Sequence, residues 1–428
     1  MSTTGAERPA TPRTEVPPTG EPRVRPRFLL GYAFAYFGAL AATLAPAILT
    51  LQLKVAQLTA SAPEIALSLV LGVGALASIV ANPVFGRLSD RTTSRWGMRR
   101  PWLVGGMLVA LVGLLVVAVA PSVAVMTAGW VVAQLGFAAN LAVLIALLAD
   151  HVPVHQRGSV SGLLGFAQAV ATVVGIALAM ALSSSNVAMF LVPALLMLAG
   201  TVVLALLLPD RRLAPADRPP VDLGELLRSY RLSPRRFPDF SWALLSRFAL
   251  WMSISLVLGY QLFFLRARLG LDEAAASQMV FFGVLAQTAT IAVSAFVTGR
   301  LSDRWGRRRI FVAVAAAVFS IGLLVLAFVT TVPFYLVAMV VLGFGQGTYV
   351  AVDLALITDV LPDKEFDAAR DMGLVNVSSA LTHTLAPAIA PLFLAIGGGT
   401  RNYTALFVAG AVWSMIAAIA AMRVRSAL

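Results

Sequence analysis

The stretch Gly86-Arg87-Leu88-Ser89-Asp90-Arg91 recurs 213 residues later as Gly299-Arg300-Leu301-Ser302-Asp303-Arg304. Trp96-Gly97 recurs as Trp305-Gly306 at an offset of 209, after four extra residues, Thr92 to Arg95, in the first copy. Pro121 maps near Pro333, and Asp150 maps to Asp359, again at 209. A near-constant offset across these landmarks marks a duplicated chain. Each copy lies between the second and third apolar run of its half, so the duplication fixes the order of everything around it.

Outward from the motif, the sequence is a series of apolar runs. They fall at about 28–51, 64–84, 102–120, 122–148, 159–182, 186–208, 242–265, 276–298, 310–330, 333–358, 371–396 and 402–422. Of 428 residues, 59% are hydrophobic and only 12% are charged. A soluble domain cannot cover that much apolar surface with so few charges. Runs of roughly 20 residues match a bilayer crossed by helices, whereas barrel strands are half as long and alternate in polarity. The expected fold is therefore an all-α integral membrane protein of twelve transmembrane helices in two six-helix bundles. Those bundles are residues 28–208 and 242–422, related by a parallel pseudo-repeat. Residues 1–27 read as a disordered tail, 209–241 as a linker and 423–428 as a short second tail. The linker carries seven Arg and five acids, and 221–231 within it is expected to form a short surface helix.

The net charge of +12 resembles a nucleic-acid footprint, but its placement does not. Of 32 Lys plus Arg, 27 lie in the tails, the linker and alternate loops. The exceptions are Lys54, Arg266, Arg268 and Arg401 in the other loops, and Arg247 just inside a span. This is the positive-inside pattern, which puts the motif loops, the linker and both termini in the cytoplasm. It places the chain in the cytoplasmic membrane, with the lipid bilayer as its surroundings and no nucleic-acid partner. Cys is absent, which removes thiol chemistry, and three His are too scattered for a metal cage.

Within the motif, Gly86 and Gly299 suit a tight turn at the membrane exit. Asp90 and Asp303 can accept hydrogen bonds at a helix N-terminus. Arg87, Arg91, Arg95, Arg300 and Arg304 can bridge to Asp150 and Asp359 at the ends of helices 4 and 10. With Gly97 and Gly306, these groups are expected to form a latch closing the cytoplasmic side. Topology and anionic lipid suffice to explain Arg99, Arg100 and Arg307 to Arg309.

Gly-x-Leu-x-Asp-Arg-x-Gly-Arg-Arg, repeated in both halves, resembles the signature of the major facilitator superfamily. The resemblance covers residues 28–422. It implies two bundles rocking around a central cavity and a secondary transporter, not an enzyme. The first copy, Asp90-Arg91-Thr92-x-x-Arg95-Trp96-Gly97-x-Arg99-Arg100-Pro101, is similar to that of glycoside–pentoside–hexuronide and sucrose-type symporters. That implies a small sugar-like solute taken up with a proton, or less readily with another cation. The sodium-coupled members carry paired acids in helix 2, where this chain has only Glu64 at the outer end. Proton-antiport drug efflux is the alternative, although helix 5 lacks the Gly-Pro motif such pumps often carry. A non-transporting sensor or scaffold is the alternative of another class.

Of 20 acids, Asp353 alone lies within an apolar run, six residues from Asp359 and so about 9 Å from the end of its helix. Such a carboxylate is costly and usually functional, which makes it the candidate for proton coupling or substrate binding. The bland alternative is pairing with an Arg of the second motif. His383, near mid-membrane, can bond a substrate or relay a proton. Tyr36, Gln134, Asn140, Gln168, Trp251, Gln261, Gln287, Gln346, Tyr349 and Asn376 complete the cavity candidates. Amides and aromatic faces suit hydroxyl-rich ligands, although each can equally bond a neighbouring helix. Gly343-Phe-Gly345-Gln-Gly347 lacks the context of a phosphate loop and reads as close helix packing. Pro46, Pro387 and Pro391 are expected to kink their helices. No cofactor is implied beyond the coupling proton, and the chain is expected to be a monomer.

Overall fold

A computed structural model describes residues 24–59, 61–214, 235–361, 368–398 and 401–425. The tail before residue 24 and the expected helix at 221–231 lie outside the described residues. Twelve helices are long and apolar enough to cross a membrane. They are α1 (Pro26–Leu58), α2 (Pro63–Asp90), α3 (Arg100–Val119), α4 (Val123–His151), α5 (Val154–Ala181), α6 (Asn186–Leu207), α7 (Pro238–Leu258), α8 (Glu273–Trp305), α9 (Arg308–Ala327), α10 (Val332–Asp359), α11 (Ala368–Leu394) and α12 (Tyr403–Arg423). After a short turn, α7 continues as an extension, Gln261–Leu269. No strand occurs among the described residues.

The duplication seen in sequence is also a duplication of packing. In the first half α3 packs on α4, α2 on α4, α1 on α6, α1 on α5 and α3 on α6. The second half repeats all five pairings: α9 on α10, α8 on α10, α7 on α12, α7 on α11 and α9 on α12. The halves meet through α2 against α11 and α5 against α8, again a matched pair. Small residues set these distances. A Cβ on Gly106 would strike the backbone at Asn140 and Gly136, and one on Gly136 would strike Ala110, so α3 and α4 touch backbone to backbone. Gly343 and Gly347 of α10 face α8 in the same way, as the sequence suggested.

Several local expectations change. Gly86 and Gly299 are not turns; both sit inside helices, because α2 and α8 run unbroken through the motif to Asp90 and Trp305. The turning glycines are Gly97 (φ 103°) and Gly306 (φ 66°), where only glycine is unstrained. Pro46 does interrupt α1, which passes through a π-helical turn at Pro46–Thr50 because proline cannot complete the regular ladder. Asn402 caps α12, its side chain accepting from the Ala405 amide.

Candidate functional site

The cluster around Asp353 lies wholly in the second half. Asp353 is 2% exposed on α10 and pairs with Arg247 of α7. Arg247 Nε also donates to Ser379 Oγ of α11 at 2.7 Å, so one guanidinium ties three helices together. The alternative that the sequence offered, pairing with an Arg of the second motif, is not what is found. Arg247 lies nine residues into α7 and Asp353 six residues from the same end of α10, so their depths of about 13 and 9 Å are compatible. Arg247 also sits 5.9 Å from the Trp251 ring. Trp251 in turn meets the His383 ring edge-on at 6.0 Å, and His383 Nδ1 is 3.2 Å from Ser255 Oγ. Asp353 and His383 do not touch, but a continuous line of side chains joins them. Gln346 and Tyr349 share the α10 face with Asp353, at spacings of seven and four residues. Gln346 accepts from Gln287 of α8 at 3.0 Å, and Tyr349 lies 3.5 Å from Ser246.

Helix geometry sorts the exposed positions of α11 and α5 by face. Exposed Val377, Leu381, Ala388 and Leu392 recur along α11 at helical spacing and form its lipid-facing stripe. His383 is also exposed, but two residues from Leu381 it points about 200° around the helix, toward Ser255 and Trp251 of α7. On α5, Leu163 and Phe166 make the apolar stripe, while Ser161, Gly165 and Gln168 form a small polar face turned away from it. Gln168 is exposed on that face. Tyr36 is half-buried against Ala171 of α5, and Gln134 lies beside Gly74 of α2.

Two candidates prove structural. Asn140 is fully buried, donating to the Leu103 carbonyl and to Thr201, and so it fastens α4 to α3 and α6. Gln261 is buried in the α7 extension and accepts from Tyr335. Both amides bond neighbouring segments, although Asn140 Oδ1 has no partner. The side chain of Asn376 lies outside the described residues.

The motif also has a different hub from the one expected. Arg99, 5% exposed, bonds Asp90 at 2.6 Å, Asp150 at 2.8 Å and Ser89 at 2.9 Å. Arg308, at the 209 offset, repeats this with Asp359 at 2.7 Å and Asp303 at 3.9 Å. Topology and lipid therefore do not suffice for Arg99 or Arg308. Asp90 does not cap α3 either. Asp210, just beyond α6, takes that place, accepting from the Arg99 and Arg100 amides at 2.9 and 2.8 Å. A Cβ on Gly97 would collide with the Asp210 carboxylate. Arg300 lies over the Phe296 ring at 3.6 Å. These ion pairs stay inside each half. They brace the ends of helices 2, 3 and 4, or 8, 9 and 10, and do not clasp the halves to each other.

A clasp between the halves lies at the opposite end. Glu64, 2% exposed at the start of α2, accepts from Tyr403 of α12 at 2.8 Å and meets Arg401 at 3.3 Å. Ser68 bonds Tyr260 at 2.7 Å, and Gln52 of α1 accepts from the Leu262 amide at 3.1 Å. These contacts join the two halves at the Glu64 end. A Cβ on Gly86, Gly158 or Gly162 would meet nothing within 4 Å. In sequence Glu64 stands out only as a departure from the sodium-coupled pattern; its signal is that it is a carboxylate at the edge of an apolar run.

Comparison with known proteins bears on the whole chain. A sequence model of the Major Facilitator Superfamily matches residues 28–292 and 283–427. An uncharacterised symporter of Synechocystis is 51% identical over 39 residues, 9% of this chain and 7% of that protein. A multidrug resistance protein of Klebsiella pneumoniae is 28% identical over 127 residues, 30% of this chain and 32% of that protein. The matched stretches thus span a third or less of these relatives. In structure, a point mutant of a nucleoside transporter superposes with a TM-score of 0.72 at 11% identity, covering 93% of this chain and 99% of the other. A D-xylose–proton symporter gives 0.72 at 16% identity, covering 94% and 98%.

Proposed function

The chain belongs to the major facilitator superfamily, and on that premise we propose that it takes up a small sugar-like solute with a proton across the cytoplasmic membrane, its motif end and both termini inside. It is a transporter of two rocking bundles. The observation that carries the finer reading is the Arg247–Asp353 pair, linked through Trp251 to His383. A carboxylate held by one guanidinium can be released by a proton. Protonation of Asp353 frees Arg247, and the freed donors turn to a hydroxyl-rich ligand between α7, α10 and α11. Loss of the proton to the inside restores the pair and expels the ligand. The likeness of the first motif copy to sugar symporters supports the solute class, as does the xylose–proton symporter among the structural neighbours.

Purified protein in liposomes, given an inward proton gradient and a panel of labelled pentoses and hexoses, tests this. Accumulation of at least one sugar, lost in Asp353→Asn while exchange at equal concentrations persists, is the expected result. Accumulation by the variant equal to the native protein removes Asp353 from coupling. Proton-driven export of drugs is the second reading, favoured by the Klebsiella relative. In the same liposomes, extrusion of an organic cation against its gradient with no sugar uptake selects it.

A further inference from the structure

A groove of about 460 Å³ lies where the first turn of α3 meets the last turn of α6. Its floor is Val104 of α3 with Val202 and Leu206 of α6. Leu195, Val202 and Leu206 recur at spacings of seven and four and are 52%, 43% and 78% exposed, so they form one lipid-facing stripe. The groove therefore opens to the bilayer, not to the central cleft. Its lip is basic: Arg95, Arg100 and Arg212 line it, with Trp96 beside them, 69% exposed.

These cations are not consumed by the protein. Asp210, the nearest acid in sequence, spends its carboxylate on the Arg99 and Arg100 backbone amides. Arg100 Nη2 donates to the Leu208 carbonyl at 2.6 Å, but its Nε is buried without an acceptor. Among the described residues no carboxylate pairs with Arg95 or Arg212. Three guanidinia over an apolar floor, with an indole at the membrane edge, match one chemistry: a phosphate ester attached to acyl chains. Free phosphate would use the lip and leave the floor unused.

We propose that this groove is a binding site for an anionic phospholipid of the leaflet at the motif end. Its phosphate rests among Arg95, Arg100 and Arg212, and one acyl chain lies between α3 and α6. The headgroup then sits one residue from Arg99, the hub of the first motif, and braces the same helix ends.

Thermal unfolding of delipidated full-length protein in neutral detergent tests the site, with phosphatidylglycerol, phosphatidylcholine of the same chains, or inorganic phosphate added. Phosphatidylglycerol is expected to raise the midpoint saturably, and the other two to leave it in place. Each surface guanidinium contributes about fivefold to such binding, so Arg95→Gln with Arg212→Gln should weaken it about 25-fold. Arg235→Gln with Arg307→Gln, which removes the same charge elsewhere, should change it less than about threefold. Equal weakening by both pairs would show generic attraction to a basic face and overturn the site. So would an equal shift from phosphatidylcholine, or one from phosphate alone.

Discussion

At the scale of single residues, the second half is organised by a buried ion pair whose members depend on each other. Removing one partner of such a pair costs about 3–5 kcal/mol, whereas replacing both by apolar groups is often neutral. Asp353→Leu alone should therefore lower the thermal midpoint sharply, and Arg247→Leu with Asp353→Leu should recover most of it. A double variant no more stable than the single one would mean the two do not compensate each other. At the motif, Arg99→Gln removes bonds to Asp90 and Asp150 and should cost about 2 kcal/mol by denaturant unfolding. Arg308→Gln should cost less, since Arg308 is more exposed and Asp303 stands 3.9 Å away. Equal losses would contradict the ranking. Asp353 is legible in sequence because it is the lone acid in an apolar run. Its partner is legible in principle, since Arg247 is the lone Arg within a span at similar depth, but depth along a helix does not give direction around it. The same gap explains Asn140 and Gln261: an amide's identity does not say whether it faces a cleft or a neighbouring helix.

At the scale of elements, all twelve spans can be read because lipid leaves a helix no alternative to length and apolarity. Their ends cannot. Hydropathy stops where charges begin, yet α2 and α8 carry on through the motif, since backbone bonds continue in water as well as in lipid. That is why the turn is expected at Gly86 and found at Gly97. Gly97→Ala tests this. A side chain at φ 103° is strained by at least ~1 kcal/mol and its Cβ would displace Asp210 from the start of α3. Gly86→Ala, in a helix with open space beside it, should be neutral or slightly stabilising. Midpoints from thermal unfolding of the two variants check the order; a reversed order would return the turn to Gly86.

At the scale of the whole molecule, the duplicated packing gives two like bundles that meet through α2 against α11 and α5 against α8, and the ion pairs described above sort by end. Within each bundle, Arg99 and Arg308 stiffen the motif end. Between bundles, Glu64, Ser68 and Gln52 hold the far end shut against Tyr403, Arg401, Tyr260 and Leu262. Sequence points to a latch across the motif end because the charges there are conspicuous. It does not point to the far clasp, which is made by isolated residues over 190 positions apart in the chain. Glu64→Gln keeps the shape but loses the ionic contact with Arg401, so it should shift the population toward opening at the far end.

The chain contains no cysteine, so spin labels can be placed at will. One pair, Ser159→Cys with Val297→Cys, spans α5 and α8 near the motif end; a second, Ser184→Cys with Ala274→Cys, spans them at the far end. Pulsed electron resonance on both pairs, with and without Glu64→Gln, reads the motion directly. Two bundles pivoting about a shared cleft require the far pair to lengthen as the motif pair shortens. Distances that stay fixed at both ends, or that lengthen together, would contradict it.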